Sequence, residues 1–290
     1  MSPKVKLKSM KIITDINNLS FAKRHNKFVL NAYKNEVEKF INNIPENANE
    51  ILGVIAALEK NIDQLHYFHK LAVNLGSDKA QSYFNYAISL MKLGFISESI
   101  EKATNVFGFN KLHVDNNNIL IKHNLCIGDF SNAIKYLNHW NALYKENRYL
   151  KTDLINDAYD ILEKSNTSQN VLMQFIDGIL KIFQREKVYI ENCDVEIVGD
   201  KKSHQFLKLK YIIDIEYEPL LNIEDKIYEY LLQAPKEIRN IIMIDIDTED
   251  PRLEEFILYL NNYESDNQNC FKELDSDKMD YIAKLIQVNY

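Results

Sequence analysis

The sequence predicts a mainly α-helical chain: an α-solenoid of helical hairpins followed by a small α/β (α+β) C-terminal domain. Three observations lead there. Similar residues recur every 34 positions through the middle of the chain. Chain breakers are scarce, with 7 Gly and 5 Pro in 290 residues, which favours helices joined by short connections over a barrel or sandwich. Near residue 184 the periodicity changes from helical to strand-like, and the net charge changes sign. Residues 1–183 carry 22 Lys+Arg against 18 Asp+Glu, and residues 184–290 carry 13 against 24. A charge reversal of this size marks a domain boundary, so the expected division is 1–183, a helical repeat domain, and 184–290, an acidic α/β domain.

The repeat dictates the fold and is the place to begin. A shift of 34 residues lays Gly94 on Gly128 and Ser99-Ile100 on Ala133-Ile134. Ile62, Ile96 and Phe130 share a register, as do Leu52, Tyr86 and Leu120. In residues 80–107, Tyr83, Tyr86, Ala87 and Leu90 occupy a first helix, Gly94 the turn, and Ser99, Ile100 and Ala103 a second helix. Residues 116–144 repeat the scheme with Leu120, Gly128, Phe130, Ala133 and Ile134. Residues 49–75 follow it more loosely, with small residues at Gly53, Ala56 and Ala72 but Lys60 in the turn and Leu65 at a normally small site. Over about residues 46–147 the chain resembles the tetratricopeptide-repeat family, whose period is 34. It departs from that pattern in the bulky Ile121, Val106 and Trp140 and in lacking the Pro that often ends a unit.

The pattern has a simple physical basis. Two antiparallel helices approach closely only where a small side chain stands at the crossing, the place of Gly53, Ala87, Ser99 and Ala133. A turn Gly takes positive φ at little cost. Each pair leaves an apolar face that only a neighbouring pair can cover, so pairs stack. Flanking helices are expected over residues 25–45, ending at Pro45, over 150–165, and after an Asn166-Thr167-Ser168 cap with Val171, Phe175, Ile179 and Phe183 inward.

Beyond residue 184, residues 188–200 and 204–218 read as strands, the second ended by Pro219. Residues 222–235 read as an amphipathic helix capped by Asn222, with Ile223, Ile227, Tyr230 and Leu231 inward. Residues 239–247 read as a fully buried strand, and helices are expected over 251–263 and 276–288.

Several function classes are disfavoured. The acidic half lacks the clustered Lys and Arg that phosphate contacts require, which argues against a nucleic-acid surface. No apolar run approaches the 18 to 20 residues of a membrane helix, so no membrane partner is expected. The basic N-terminal arm, with Lys4, Lys6, Lys8 and Lys11, lacks the apolar segment and cleavage site of a secretory signal and reads as a mobile, solvated terminus. Cys126, Cys193 and Cys270 are odd in number and far apart, which predicts buried free thiols in a reducing compartment and a soluble, cytoplasmic protein.

No catalytic constellation stands out. Seven scattered glycines supply neither a Walker loop nor a dinucleotide fingerprint, and there is no nucleophile elbow. His66 and His69, three apart on a helix, have no obvious third ligand, so no metal is expected, and no cofactor. The strongest catalytic candidate is Asp245-Ile246-Asp247-Thr248-Glu249-Asp250, at the end of a strand, where grouped carboxylates can hold Mg²⁺. The string around Asp245 and Asp247 resembles the nucleophile motif of haloacid-dehalogenase-type phosphatases, which implies a Mg²⁺-dependent phosphate-handling enzyme as the alternative function. Only 40 residues follow Asp250, too few for the rest of such a site.

The leading expectation is a non-enzymatic module that binds a partner peptide or protein. The tetratricopeptide resemblance implies that the first helix of each pair lines a concave groove. The outward positions are then Glu50, Val54, Ala57, Phe84, Ile88, Met91, Asn118, Lys122 and Leu125. Of these, Val54, Phe84, Ile88, Met91, Asn118, Lys122 and Leu125 are the expected partner contacts, an apolar strip with polar edges that suits an amphipathic or extended peptide. The competing reading is that the protein's own flanking helices cover the strip. An inhibitor or immunity-type protein, its acidic face set against a basic toxin, is a special case supported by charge alone.

Overall fold

In the computed structural model the described residues are 3–19, 21–24, 26–199, 205–215 and 217–248. The chain divides into two compact units, Met1–Glu249 and Asp250–Tyr290, and all the described residues belong to the first. The helices expected at 251–263 and 276–288 lie outside the described residues.

The N-terminus forms α1 (Pro3–Asn17) and α2 (Phe21–Arg24). The basic arm is therefore helical where a mobile terminus was expected: Ile12 and Ile16, four apart, are buried, and α1 packs on α4 (Pro45–Leu58). Lys8 and Lys11 remain exposed. Between them α3 runs Lys27–Glu38 and ends before the expected limit. Pro45 does not stop it; it opens α4 at the first helical position, where its missing N–H costs nothing.

Three hairpins follow: α4 with α5 (Ile62–Leu75), α6 (Lys79–Lys92) with α7 (Ile96–Phe109), and α8 (Val114–Cys126) with α9 (Phe130–Leu143). They match the 34-residue register. Asn and Asp side chains set several starts: Asn61, Asp78 and Asp129 each accept a hydrogen bond from the backbone N–H three residues on. The turns share one backbone solution, positive φ, at Gly94 (78°), Gly128 (75°) and Lys60 (58°). Lys60 thus adopts the left-handed conformation its glycine counterparts adopt freely, at a steric cost they escape.

The close crossings fall at the expected small residues. Ala87 is fully buried, and its carbonyl accepts a 2.6 Å hydrogen bond from Ser99 Oγ. Gly53 makes room for a ring rather than a backbone: a Cβ there would stand 2.6 Å from His69 Nε2. The array continues through α10 (Thr152–Lys164) and α11 (Gln169–Arg185), the latter burying Phe175, Ile179 and Phe183.

The sheet begins at β1 (Tyr189–Val198), pairs antiparallel with β2 (Phe206–Asp214), and ends with β3 (Ile242–Thr248) parallel to β2. Between β2 and β3 lie α12 (Tyr217–Leu232) and the short α13 (Lys236–Arg239). Here Pro219 sits inside the first turn of α12, which starts five residues before Asn222, the expected cap. A proline is tolerated there because first-turn N–H groups have no intrahelical acceptor. Strand β3 is half-buried rather than fully buried, with Met243 exposed and Ile244 to Asp247 intermediate. It stands at one end of the sheet order β1-β2-β3 among the described residues.

Helix gives way to sheet close to residue 184, and the helical array and the sheet share the compact unit Met1–Glu249. Strand β1 packs on α6 and α8, Tyr211 of β2 donates its phenol proton to the Cys126 carbonyl, and Phe183 meets the Tyr211 ring edge-on. Cys126 and Cys193 form a disulfide between α8 and β1. This corrects the expectation of three free thiols. Residues 67 apart in sequence become neighbours only when the sheet docks, and the argument from cysteines to a reducing compartment falls with that expectation. No described helix is long and apolar enough to cross a membrane.

Candidate partner-binding groove

The expected strip is carried by α4, α6 and α8, the first helices of the three pairs. On α4, Val54 is half-buried, while Glu50 and Ala57 are buried. On α6, Phe84, Ile88 and Met91 are all half-buried. On α8, Asn118 is half-buried, Lys122 is exposed and Leu125 is buried. The strip is therefore not one uniform open surface.

Two of the chain's own elements account for part of this. Tyr189 of β1 and Ile13 of α1 close a cavity of about 120 Å³ with Glu50, Val54, Ala57, Asn85, Ile88, Ser89 and Lys92. Further along, Lys92 Nζ donates to the Glu191 carbonyl at 2.9 Å and pairs with the Glu191 carboxylate. Asn118 accepts from Tyr149 Oη at 2.8 Å, and Lys151 pairs with Asp194 of β1. Phe84 leans on the His113 ring, 4.8 Å between centroids. The flanking elements thus cover part of the strip, and Val54, Phe84, Ile88 and Met91 keep partial exposure.

Polar groups lie beneath it. Glu50 is 6% exposed and accepts a 2.7 Å hydrogen bond from Ser82 Oγ. Burial pushes its carboxyl above the usual range; hydrogen bonds from Ser82 and Asn85 oppose that shift, and the negative charges of Glu46 and Asp78 add to it. His69 shares a 2.9 Å hydrogen bond with Ser89 Oγ and stacks on Tyr86. In the next interface Ser99 Oγ meets His123 Nδ1 at 3.0 Å. A hydroxyl has one proton, and Ser99 gives its proton to the Ala87 carbonyl, so the His123 proton resides on Nδ1. Burial lowers both imidazoles to about 3. His69 is a packing residue; His66, the other half of the possible metal pair, bonds Tyr86 Oη through Nδ1 at 2.5 Å.

Asp245 and Asp247 sit on one face of β3 and meet the lysines of the neighbouring strand. Lys208 Nζ lies 2.8 Å from Asp245 and Lys210 Nζ 3.3 Å from Asp247. Glu224 of α12 is the nearby third acid, its carboxyl pushed up by burial and then by Asp225, Asp245 and Asp247. Each aspartate is thus paired with a lysine, and no cluster of three or more His, Cys, Asp or Glu suited to a metal occurs among the described residues.

The 34-residue register groups Glu50, Val54, Ala57 and Ile88 on one side of the first helices; all four line one cavity, with Glu50 and Ala57 buried. Ile13 and Tyr189 were not legible, because they arrive from outside the repeat. Ser89 had a faint signal: it lies 34 residues before His123, and both contribute to a His–Ser pair between hairpins. No family model, no curated protein and no solved structure matches the chain; the likeness to tetratricopeptide repeats rests on the register and on the consecutive helical hairpins.

Proposed function

We propose that this protein is a non-enzymatic interaction module that holds a partner peptide or protein along the outward faces of α4, α6 and α8. The observation that carries this reading is the position of Val54, Phe84, Ile88 and Met91. They are apolar, lie on the adjacent first helices α4 and α6 of stacked hairpins, and keep partial exposure although Val54 packs on the core and Phe84 on the His113 ring. On α8, the next first helix, Asn118 is half-buried and Lys122 exposed, polar groups fit for the rim of an interface. The partner contacts are thus Val54, Phe84, Ile88, Met91, Asn118, Lys122 and Leu125, with Leu125 contributing only if the groove opens further, since it is 3% exposed. An inhibitor of a basic protein is the special case that the acidic C-terminal charge favours.

The test is a titration of the partner, once isolated from the native organism, against Phe84→Ala. Truncating a central aromatic at an interface costs about 2 kcal/mol, roughly a thirtyfold loss of affinity. The double variant Asp245→Asn with Asp247→Asn should bind as the wild type does. Unchanged affinity in Phe84→Ala, together with a metal-dependent activity lost in the double variant, would replace this reading with the enzymatic one.

A further inference from the structure

We propose that the cavity between α4 and α6 is an anchor site for a cationic alkyl side chain, a lysine of the bound partner, with Glu50 as its counter-charge. This rests on the groove reading above and names the chemistry of one subsite within it. The cavity of about 120 Å³ is lined by apolar Ile13, Val54, Ala57, Ile88 and Tyr189 and by polar Glu50, Asn85, Ser89 and Lys92. That mixed lining suits the chemistry of a lysine: four methylenes and a terminal ammonium.

The unusual group is Glu50. It is more than nine-tenths buried and makes no ion pair among the described residues. Its hydrogen bonds come from neutral groups, Ser82 Oγ at 2.7 Å and the Asn85 side chain. The charged groups that act on it, Glu46 from its own helix and Asp78 at the start of α6, are also negative. Lys92, which lines the same cavity, is held by Glu191 of β1, and Tyr189 brings no charge. A buried carboxylate without a counter-ion costs several kcal/mol, and one well-placed cation removes most of that cost. The walls favour a partly apolar cation over a hydrated metal ion, because Val54, Ile88 and Ala57 offer no oxygen ligands.

The site also explains a choice the repeat left open. Glu50, Phe84 and Asn118 occupy one register, 34 residues apart, and only the first is acidic. The anchor is therefore local to one interface and fixes the position of a peptide along the groove, which a uniform apolar strip cannot do.

The experiment uses the full chain and n-butylammonium, the free equivalent of the lysine side chain, followed through backbone amide NMR shifts of Ser82, Asn85, Ile88 and Ser89. Saturable shifts confined to these residues are expected in the wild type, weakened at least tenfold in Glu50→Gln, which keeps an acceptor for Ser82. Neutral n-butanol should bind at least tenfold more weakly than the ammonium. Binding of butylammonium should also fade as acid neutralises Glu50. If butanol matches butylammonium, if Glu50→Gln binds equally well, or if no saturable shift occurs, the proposal is overturned. With the isolated partner, Phe84→Ala weak and Glu50→Gln unchanged would keep the groove and remove the anchor. The reverse pattern would keep the anchor and move the partner elsewhere.

Discussion

Between the stacked hairpins, the His–Ser pairs are dry and neutral; on the polar face of the sheet the side chains are charged and wet. His69 with Ser89, and Ser99 with His123, are sealed in the interfaces α5/α6 and α7/α8. The sheet carries two rows of alternating charge, Glu196–Lys208–Asp245 and Asp194–Lys210–Asp247, across β1, β2 and β3. The two arrangements hold their polar groups by different means, and the first leaves His69 Nδ1 buried without a hydrogen bond. A buried imidazole works only while neutral, because its proton would have no solvent and no carboxylate to meet. A surface lysine between two carboxylates is stable in either company and contributes little, because water and salt compete. The difference teaches where the molecule is brittle: the helical array should respond to pH and volume, the ladder to neither.

Acid should therefore produce the largest effect. With folded values near 3 against an ordinary 6.5, the unfolded chain takes up a proton at each histidine first as the pH falls. Stability from this source is complete above pH ~6.5 and is lost progressively down to about pH 3. At pH 4.5 the loss is about 3 kcal/mol for each imidazole. Denaturant midpoints at pH 7.5 and 4.5 measure it, and His69→Asn with His123→Asn should flatten the slope. An equal slope in that double variant would transfer the acid sensitivity to the carboxylates.

Next comes volume. Ala87→Leu places extra methylenes at a fully buried crossing and should cost about 1–3 kcal/mol through strain, read as a lower midpoint with an unchanged denaturant slope. Native stability in this variant would mean the close approach of α6 and α7 is looser than Ser99 and Ala87 imply. The ladder should be far more forgiving. Lys208→Met is expected to cost under about 1 kcal/mol, with less effect still in high salt. Mg²⁺ should leave the melting temperature of the wild type unmoved; an increase with metal concentration would reveal a site that binds the folded state. The smallest effect is a gain: Lys60→Gly relieves a left-handed lysine and should stabilise by about 0.5–1 kcal/mol. A loss instead would show that the aliphatic stem of Lys60, half-buried near α4, matters more than its backbone.

What could be read in advance follows the range of the forces involved. The three hairpins, their turns and the small residues at their crossings were legible because contacts within and between repeats recur at one interval. Ala87, Gly94 and Gly128 stand where the 34-residue register requires them. The order of the first strands and the helix after them was legible from alternation, although the ends moved: α12 starts before Pro219, because a proline in a first helical turn and a proline ending a strand leave the same local signature. The N-terminal helix was obscured by four lysines, whose charge suggested solvation while Ile12 and Ile16 supplied a core stripe. Long-range facts left no trace in the pattern. The docking of β1 on α6 and α8, the closure of the cavity by Tyr189 and Ile13, and the pairing of Lys208 and Lys210 with Asp245 and Asp247 depend on segments that meet only after folding.

The Cys126–Cys193 bond turns the stretch between them, which holds α9, α10 and α11, into a closed ring. Tension applied to the two ends of the chain passes through the sulfurs and bypasses that ring. The loop spanning the sequence separation of 67 between the cysteines, roughly 230 Å of extended chain, stays out of the contour length until a reductant opens the bond. In a single-molecule pull, the oxidised protein should lengthen by about that much less than the reduced one. A machine that threads proteins end-first would have to admit two strands side by side at this point, so the bond is a gate on mechanical unfolding and degradation as well as a staple between helix and sheet.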